Sequence, residues 1–550
     1  MNESVKTKYN YWLNKVSNKA LSDEMHAMTE EQIVNAFYKD LEFGTGGMRG
    51  TMGAGTNCLN IYTIARATQG LANYMKAHNL RSAAITYDTR INSRLFSRHA
   101  AAVLATNGIK VHITDDCMPT PFLSYAIRTL HADAGINVTA SHNPKEYNGY
   151  KVYDNTGCQV LDEVANEITA QIEAIDPFDV APRGYDELVA EGLICPVTDE
   201  LIASYQDTVI GESLGEADGI TVVYTPLNGA GYATVPTVLK RVGVSDLHIV
   251  KEQALPNGNF TTCPYPNPEK IAALQLALQL AEQTHADVVV ANDPDCDRLG
   301  VAVAKENGYD AITGNEVAIL FADYILSTLR AQNRLPINPK IVTTIVSTPM
   351  VKAIAADYNA QVYEVLTGFK YIGDIINKLY KKGEESDFVF GFEESCGYLK
   401  GTYARDKDGV VASMLVCEMT AHYKKQGLSL YQRLQQLYAQ YGNYEQRLLS
   451  YRFDGADGAV RKEQLLADIR KTPLAKLADS NVTSVVDLLQ PSDLPKADVI
   501  IFHADDGSKL VIRPSGTEPL IKCYLMVHGT TADNKARLDK MQAQLDELLK

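Results

Sequence analysis

The segment Val138-Thr-Ala-Ser-His-Asn-Pro-Lys-Glu-Tyr-Asn-Gly-Tyr-Lys-Val152 sets one serine hydroxyl directly after a short apolar run. Residues 135–140 predict a buried strand that His142-Asn-Pro144 ends, so Ser141 should lie at the carboxyl end of that strand. Open α/β sheets place their ligand crevices at this edge. Because Ser-X-Asn-Pro is also ordinary turn chemistry, the alternative is a serine that merely opens a turn.

Outward from this segment, strands and helices alternate in three similar units, and a different pattern follows. The predicted strands are 83–88, 110–113 and 135–140, then 220–224, 248–250 and 286–292, then 341–345, 361–365 and 387–391, and finally 497–503, 509–512 and 520–526. We therefore predict an α/β chain: three similar mixed α/β domains plus a smaller C-terminal α+β domain around a central cleft. The predicted boundaries are 1–205, 206–325, 326–450 and 451–550.

Three further local predictions concern helices. Residues 1–40 should be helical, and the apolar spacing within 425–455 predicts a helical bridge to the last domain. Asn267 is expected to cap a helix that has Pro268 in its first turn.

Length, charge and cysteine usage bound the class of protein. A chain of 550 residues should form several domains. The net charge of −15 argues against a nucleic-acid partner. No apolar run approaches the roughly 20 residues of a membrane helix, and the N-terminus lacks an apolar signal core. Nine cysteines without a C-x-x-C pair indicate reduced thiols, so we predict a cytoplasmic protein that binds no membrane.

An acidic loop, Asn292-Asp-Pro-Asp-Cys-Asp-Arg-Leu-Gly300, lies between two apolar strands. Alternate residues of an extended segment point the same way, so Asp293, Asp295 and Asp297 can converge on one hard cation. A solvated acidic turn is one alternative. An EF-hand is another, but Arg298 replaces its glycine and strands flank the loop. Mg²⁺ suits few carboxylates plus a phosphoryl oxygen, and Arg298 could neutralise the same phosphate.

Two loops have the composition of anion sites. Phe43-Gly-Thr-Gly-Gly-Met-Arg-Gly50 surrounds Arg49 with glycines, although a flexible hinge is the alternative. Arg513-Pro-Ser-Gly-Thr-Glu-Pro519 joins two strands and should form an anion nest, where a plain hairpin turn is the alternative. The nest residues are Arg513, Ser515, Gly516 and Thr517.

A third loop, Phe390-Gly-Phe-Glu-Glu-Ser-Cys-Gly-Tyr398, offers carboxylates and a hydroxyl that could accept hydrogen bonds from sugar hydroxyls. An ordinary acidic turn is the alternative. The charged segment Arg405-Asp-Lys-Asp-Gly409 is interpreted as surface charge.

Thr139-Ala-Ser-His-Asn-Pro144, followed by Asn148-Gly-Tyr-Lys151, resembles the phosphoserine motif of the α-D-phosphohexomutases, the family of phosphoglucomutase and phosphomannomutase. Gly44-Thr-Gly-Gly-Met-Arg-Gly50 and Gly391-Phe-Glu-Glu-Ser395 are closest to the long subgroup that includes phosphopentomutases. The resemblance covers residues from about 40 to 530. It includes Arg405-Asp-Lys-Asp-Gly409, where surface charge remains the preferred interpretation. It implies, in order, domains for phosphoserine, metal, sugar and distal phosphate.

The resemblance assigns roles to single residues. Ser141 carries the phosphoryl group and shares Mg²⁺ with the three aspartates, while Arg49 and Arg298 hold the phosphate. His142 orients Ser141 or caps the loop. Lys151 is assigned as general base and Lys370 as general acid, or both as cations that hold phosphate. Thr367 and Gly368 contact the sugar and distinguish its orientation, and Glu393 and Ser395 bind two ring hydroxyls. The distal phosphate site consists of Arg513, Ser515, Gly516 and Thr517.

The expected activity is interconversion of a sugar 1-phosphate and 6-phosphate, with glucose first, through a phosphoserine enzyme and a bisphosphorylated sugar. A bisphosphate of the glucose 1,6-bisphosphate type would prime the enzyme, which we expect to be a monomer or dimer. Phosphomannomutase or phosphopentomutase activity by the same mechanism is the alternative. A sugar-phosphate sensor without activity is the alternative from another class.

Overall fold

The computed structural model describes residues 1–44, 46–453, 455–515 and 520–549. The chain divides into two compact units. The first comprises Met1–Val317 and Phe369–Leu430, and the second comprises Ala318–Gly368 and Tyr431–Lys550. The expected central cleft, which depends on how the two units are arranged, stays a prediction.

Three short helices open the first unit: α1 (Glu3–Lys15), α2 (Lys19–Ala27) and α3 (Glu30–Phe37). The side chains of Asn2, Asn18 and Thr29 accept hydrogen bonds from backbone N–H groups at their starts, which satisfies donors that a helix cannot pair internally. Buried Trp12 packs edge-on against Phe37, which joins the first and third helices. The predicted helical start of the chain is confirmed.

The first sheet has the strand order β1-β5-β4-β2-β3-β6. Its elements are β1 (Gly47–Thr51), α4 (Ile61–Ala77), β2 (Ser82–Tyr87), α5 (Ser93–Thr106), β3 (Lys110–Ile113), α6 (Thr120–Leu130), β4 (Ala134–Val138), β5 (Tyr147–Asp154), α7 (Asp162–Glu173), α8 (Tyr185–Ala190), β6 (Ile194–Pro196) and α9 (Asp199–Gly211). Strands β2, β3, β4 and β6 are parallel, whereas β5 runs antiparallel to both β4 and β1. Fully buried Ile85 and Ile136 lie in its core. The segment that carries Ser141 therefore connects two neighbouring antiparallel strands, β4 and β5.

The second sheet has the order β11-β10-β9-β7-β8. Its elements are β7 (Thr221–Thr225), α10 (Gly231–Arg241), β8 (Asp246–Ile249), α11 (Ile271–Thr284), β9 (Val288–Asn292), β10 (Leu299–Ala304) and β11 (Tyr309–Ile312). Strands β9 and β10 pair antiparallel with Asn292 opposite Leu299, so the acidic loop closes a hairpin. The predicted cap at Asn267 is wrong, because α11 begins at Ile271 and the Asn267 side chain instead accepts from the N–H of Glu269.

The following part of the chain contributes to both units. Its elements are α12 (Gly314–Ala331), β12 (Lys340–Thr344), α13 (Met350–Ala356), β13 (Gln361–Val365), α14 (Phe369–Lys382), β14 (Phe388–Glu393), β15 (Gly397–Leu399) and α15 (Gly409–Lys424). In the second unit, β12 and β13 pair in parallel. In the first unit, β14 and β15 form an antiparallel hairpin that holds the predicted sugar loop.

The second unit ends in a mixed α and β region whose sheet has the order β16-β21-β20-β19-β18-β17. The elements are α16 (Leu430–Tyr441), β16 (Asn443–Arg452), α17 (Gly455–Lys471), β17 (Lys476–Leu477), β18 (Ser480–Asp487), β19 (Ile500–Ala504), β20 (Lys509–Pro514), β21 (Leu520–Gly529) and α18 (Thr531–Leu548). The predicted bridge 425–455 is right for α16 but wrong at its end, where β16 pairs antiparallel with β21 along its whole length. Short 3-10 helices lie at Pro177–Asp179, Lys251–Gln253 and Glu385–Asp387.

The architecture confirms the predicted class of four α/β domains, with mixed sheets and a C-terminal region of different topology. None of the helices in the described part of the chain combines the length and the apolar character that crossing a bilayer requires.

Candidate active site

Ser141 lies in the turn just after β4 and is almost fully buried. Its backbone is left-handed, with φ of +52°, a conformation that costs a residue other than glycine roughly 1–2 kcal/mol. The N–H of Ser141 donates to Oγ1 of Thr139 at 2.8 Å, and its hydroxyl donates to Oδ2 of Asp293 at 2.7 Å. The fold therefore aims the serine hydroxyl of the first sheet at the acidic loop of the second.

His142 lies beside the same hydroxyl, with Nδ1 3.1 Å from Oγ of Ser141. Burial lowers the pKa of His142 well below its usual value, and the positive charges of Arg298 and Arg49 lower it further. Because the Ser141 hydroxyl donates its proton to Asp293, a neutral imidazole with its proton on Nδ1 can donate to Oγ at this distance. This geometry agrees with the predicted orienting role.

The three aspartates of the acidic loop are fully buried, and their carboxylate oxygens approach within 4.8 Å of one another. Oδ1 of Asp295 and Oδ1 of Asp297 receive no hydrogen bond from the described residues. Burial, followed by the negative charges of Asp295 and Asp297, raises the pKa of Asp293 well above its usual range. Buried, mutually repelling oxygen ligands without hydrogen bonds fit a hard cation such as Mg²⁺.

Two lysines also approach this cluster. Lys151 Nζ lies 3.1 Å from Oδ2 of Asp295 and 3.6 Å from Oδ2 of Asp297. Lys407 Nζ lies 2.9 Å from Oδ2 of Asp297. Although burial opposes ionisation of Asp295, the charges of Lys151 and Lys407 and a hydrogen bond with Asp293 lower its pKa. The ion pairs of Lys151 support a phosphate-holding cation more directly than a general base.

Lys407 is a site residue that the sequence interpretation missed. The segment Arg405–Gly409 was expected to be surface charge, but Arg405 and Asp408 are fully buried. Asp408 caps α15 by accepting from the N–H groups of Val410 and Val411. The signal was available as an aspartate directly before a glycine and an apolar run, which is a common helix start.

The predicted phosphate-holding arginines occupy different positions relative to Ser141. Arg49 belongs to β1, so the expected glycine loop is partly a strand, and its Nη1 donates to Oδ1 of Asn143 at 3.3 Å. Arg298 follows the aspartates, and its Nη1 is 2.5 Å from Oε1 of Glu269. Burial opposes the charge of Arg298, but Glu269 and the neighbouring aspartates raise its pKa. Glu269 is a second residue that sequence analysis did not assign.

The predicted sugar loop adjoins the acidic loop. Glu393 ends β14 and is buried, whereas Ser395 is partly exposed. The N–H of Leu299 donates to the carbonyl of Cys396 at 2.9 Å, which links the two loops through their backbones. Burial raises the pKa of Glu393 to about 7, although Lys407 partly opposes this shift. The first unit thus brings Ser141, the aspartates and the Glu393 loop into one region.

Lys370, the predicted general acid, lies in the first turn of α14 and is buried. Its Nζ lies 2.6 Å from Oδ1 of Asp162, at the start of α7. Thr367 and Gly368 precede it but belong to the second unit. A lysine held by a carboxylate can place a positive charge without itself moving a proton.

The predicted distal phosphate site lies in the second unit. Arg513 is in β20, and the N–H of Ser515 donates to the carbonyl of Leu520 at 2.9 Å, which closes the hairpin to β21. Gly516 and Thr517 lie outside the described residues. The anion nest and its approach to Ser141 therefore stay predictions.

Phosphoryl transfer between a protein hydroxyl and a sugar depends on positioning and on neutralisation of charge. The first unit offers both around Ser141, together with an acceptor loop suited to sugar hydroxyls. The fold and this region together define a phosphosugar mutase.

The chain belongs to the phosphoglucomutase/phosphomannomutase family. Four family profiles match in order: alpha/beta/alpha domain I at residues 40–178, domain II at 203–308, domain III at 313–441, and the C-terminal domain at 463–545. The resemblance inferred from the motifs is confirmed.

Named relatives agree over nearly the whole chain. A phosphoglucomutase of Staphylococcus saprophyticus is 34% identical over 95% of this chain and 97% of its own length. A Haemophilus influenzae protein named "Probable phosphomannomutase" is 33% identical over 89% of this chain and 96% of its own length. The chain is therefore a phosphosugar mutase, an enzyme that moves a phosphoryl group from one position of a phosphosugar to another.

Solved structures support the same fold. A phosphoglucomutase/phosphomannomutase family protein from Burkholderia thailandensis superimposes with a TM-score of 0.68 at 19% identity, covering 92% of this chain and 97% of that one. The N-acetylphosphoglucosamine mutase of Aspergillus fumigatus, in complex with GlcNAc-6P and magnesium, gives a TM-score of 0.54 at 13% identity and covers all of both chains.

Proposed function

We propose that this enzyme interconverts glucose 1-phosphate and glucose 6-phosphate through a phosphoserine at position 141. The observation that carries the proposal is the 2.7 Å hydrogen bond from Ser141 Oγ to Asp293, within a buried three-carboxylate cluster. The name of the 34% identical staphylococcal relative supports glucose as the sugar. The name of the Haemophilus relative keeps mannose as the alternative.

Asp293, Asp295 and Asp297 would hold Mg²⁺ together with an oxygen on Ser141. The bound ion would supply positive charge to the phosphoryl oxygens. Support comes from the buried oxygens of Asp295 and Asp297 that receive no hydrogen bond from the described residues. The magnesium named with the Aspergillus mutase supports the choice of ion.

In the first half-reaction a sugar hydroxyl attacks the phosphorus on Ser141, and in the second half-reaction Oγ of Ser141 attacks the other phosphorus of the bisphosphate. In the first of these steps a bond forms between the sugar oxygen and phosphorus, the bond between phosphorus and Oγ breaks, and the sugar gains the phosphoryl group. The hydroxyl proton ends on Oγ of Ser141 as that oxygen leaves phosphorus. Lys151 is our candidate to hold the phosphoryl group as a cation, or, if it enters the step uncharged, to relay this proton as general base; His142 orients Oγ. Arg49 and Arg298 neutralise the phosphoryl oxygens as they move.

The sugar itself would be held at two places. Glu393 and Ser395 would accept hydrogen bonds from ring hydroxyls. Thr367, Gly368 and Lys370 would contact the sugar and distinguish its two binding orientations. Its own phosphate would bind at Arg513, Ser515, Gly516 and Thr517. The bisphosphate then turns over and returns its other phosphate to Ser141, so a bisphosphate of the glucose 1,6-bisphosphate type would prime the enzyme.

The cellular setting follows from charge and composition. We propose a cytoplasmic monomer or dimer that acts on phosphosugars and binds neither nucleic acid nor membrane. The net charge of −15 supports the proposed absence of nucleic-acid and membrane partners, because phosphate polymers and anionic lipids would both repel such a protein.

The test measures steady-state rates on glucose, mannose, N-acetylglucosamine and ribose 1-phosphates with Mg²⁺ and catalytic glucose 1,6-bisphosphate. We expect the highest kcat/KM for glucose and no turnover by Ser141→Ala. A higher value for mannose or ribose would replace the proposed sugar. Full activity of Ser141→Ala would refute the assigned nucleophile, and phosphate on Ser141 without turnover of any sugar would favour a sensor.

A further inference from the structure

A buried arginine from another segment grips the loop that carries Ser141. Arg90 follows β2, and only 3% of its surface is exposed. Its Nη1 donates to the carbonyls of Pro144 at 2.8 Å and Tyr147 at 3.1 Å. Its Nη2 donates to the carbonyls of Ser141 and Asn143. One guanidinium therefore gathers four carbonyl groups of a single turn.

Asp88 fixes this arginine and also reaches the other side of Ser141. Its Oδ2 lies 3.2 Å from Nε of Arg90, and its Oδ1 accepts from the Arg90 N–H at 2.9 Å. Oδ2 also accepts from Oγ1 of Thr139 at 2.7 Å, and that hydroxyl accepts from the Ser141 N–H at 2.8 Å. The Ser141 residue is thus held at its N–H through Asp88 and at its carbonyl through Arg90.

The second α/β region covers the same arginine. The ring of fully buried Phe260 lies 5.2 Å from Cζ of Arg90, within the range of a cation–π contact. The backbones of Arg90 and Gly258 form a β-bridge, and a Cβ on Gly258 would lie 2.5 Å from the N atom of Ile91. This approach requires glycine at position 258. We call Asp88, Arg90, Gly258 and Phe260 the clamp. Its residues come from both the first and the second α/β region of the first unit.

We propose that Arg90 is a positioning residue that keeps Ser141 in its left-handed backbone conformation so that Oγ faces the aspartate cluster. The inference rests on the proposed role of Ser141. Arg90 does not act as a phosphate ligand, because its Nη1 and Nη2 groups donate to four carbonyls and its Nε forms an ion pair with Asp88. Its hydrogen bonds stabilise the strained backbone of Ser141, which would otherwise relax to a more favourable conformation.

Two substitutions at Arg90 separate geometry from charge. Arg90→Met removes every donor while keeping an unbranched side chain, and we expect kcat to fall about 100-fold with KM changed by less than about threefold, because small misplacements of reacting groups cost about that much. Arg90→Lys keeps the charge but offers three donors from a single atom, which cannot span four carbonyls. We expect it to recover less than about a tenth of the wild-type kcat.

The matched control is Arg66→Met. Arg66 lies in α4 and is also partly buried. It donates to the carbonyl of Ile172 at 3.1 Å and to Asp40 at 2.8 Å. We expect this variant to lose thermal stability but to keep the wild-type kcat. The comparison shows whether losing a carbonyl-binding arginine is enough to reduce turnover.

Phosphorylation of Ser141 is measured directly, by rapid quenching with glucose 1,6-bisphosphate followed by peptide mass spectrometry, with Ser141→Ala as the reference. We expect Arg90→Met to acquire phosphate about 100-fold more slowly than wild type, whereas a purely structural role would lower only the fraction of folded protein. Wild-type phosphorylation rates and kcat in folded Arg90→Met, or full recovery in Arg90→Lys, would overturn the proposal. No phosphate on Ser141 of the wild type would instead refute the proposed function.

If Arg90→Met does not fold, Phe260→Leu tests the same clamp from its other side. Leucine retains apolar bulk but lacks the aromatic face, so Arg90 loses one restraint. We expect a three- to tenfold fall in the phosphorylation rate with unchanged Mg²⁺ affinity measured by calorimetry. In that case an unchanged phosphorylation rate in Phe260→Leu, like full activity of Arg90→Lys, would refute the proposed positioning by Arg90.

Discussion

The pH dependence of sugar capture should follow the ionisation of Glu393. Burial raises the pKa of this carboxyl to about 7 in the free enzyme. Only the ionised form offers acceptors at both oxygens to sugar hydroxyls. With a pKa near 7, about 10% of the groups are ionised at pH 6 and about 90% at pH 8. We therefore expect kcat/KM to rise about tenfold between these values, because this ratio reports the free enzyme.

The assay measures kcat/KM for glucose 1-phosphate from pH 5.5 to 8.5 at saturating Mg²⁺ and bisphosphate, in wild type and in Glu393→Gln. The substrate phosphate also titrates near pH 6, but it does so equally for both proteins. The ratio of wild type to variant should therefore isolate Glu393 and rise about tenfold from pH 6 to 8. A ratio that stays constant across this range would refute the assignment.

Three further outcomes test other parts of the first unit. Burial raises the pKa of Glu418 from 4.5 to about 7, so the native state binds this proton more tightly than the unfolded state. The free energy of unfolding should therefore fall by about 3 kcal/mol as pH rises from 4.5 to 7. Urea melts at pH 5 and pH 8 should show a loss of stability that is about 3 kcal/mol smaller in Glu418→Gln than in wild type, because Glu393 titrates in both proteins; equal losses would contradict the assignment. Lys407→Met removes a cation 2.9 Å from Asp297, so calorimetry should show Mg²⁺ binding about three- to tenfold more tightly while kcat falls; weaker binding would contradict the competition. Asp297→Asn removes a buried ligand charge, and we expect a Kd for Mg²⁺ at least about tenfold higher, whereas an unchanged Kd would place the ion elsewhere.

Local sequence was sufficient where the chemistry depends on neighbours along the chain. Alternation in an extended segment predicted the convergence of Asp293, Asp295 and Asp297, and their carboxylate oxygens do lie within 4.8 Å. An apolar run that ends before Ser141 predicted a strand there, and β4 ends at Val138. Short apolar runs likewise predicted where most of the central strands of the three α/β regions lie along the chain.

Prediction failed where distant segments decide the outcome. The charges of Arg405–Gly409 suggested solvent exposure, but Tyr205, 203 residues before Asp408, donates to it at 2.8 Å in the interior. The pairing of Lys370 with Asp162 joins residues 208 positions apart, and no periodicity encodes it. Strand β16 was interpreted as helix because its residues are mostly half-exposed and polar, which removes the apolar alternation that identifies strands.

The φ of +52° at Ser141 restricts which nucleophile evolution or a protein engineer can install there. Threonine has the same hydroxyl chemistry, yet its branched Cβ makes a positive φ a genuine outlier. A threonine at this place would pull the turn back toward an extended backbone and swing its oxygen off the line to Asp293. The choice between two alcohols is thus made by the main chain before any difference in reactivity can matter.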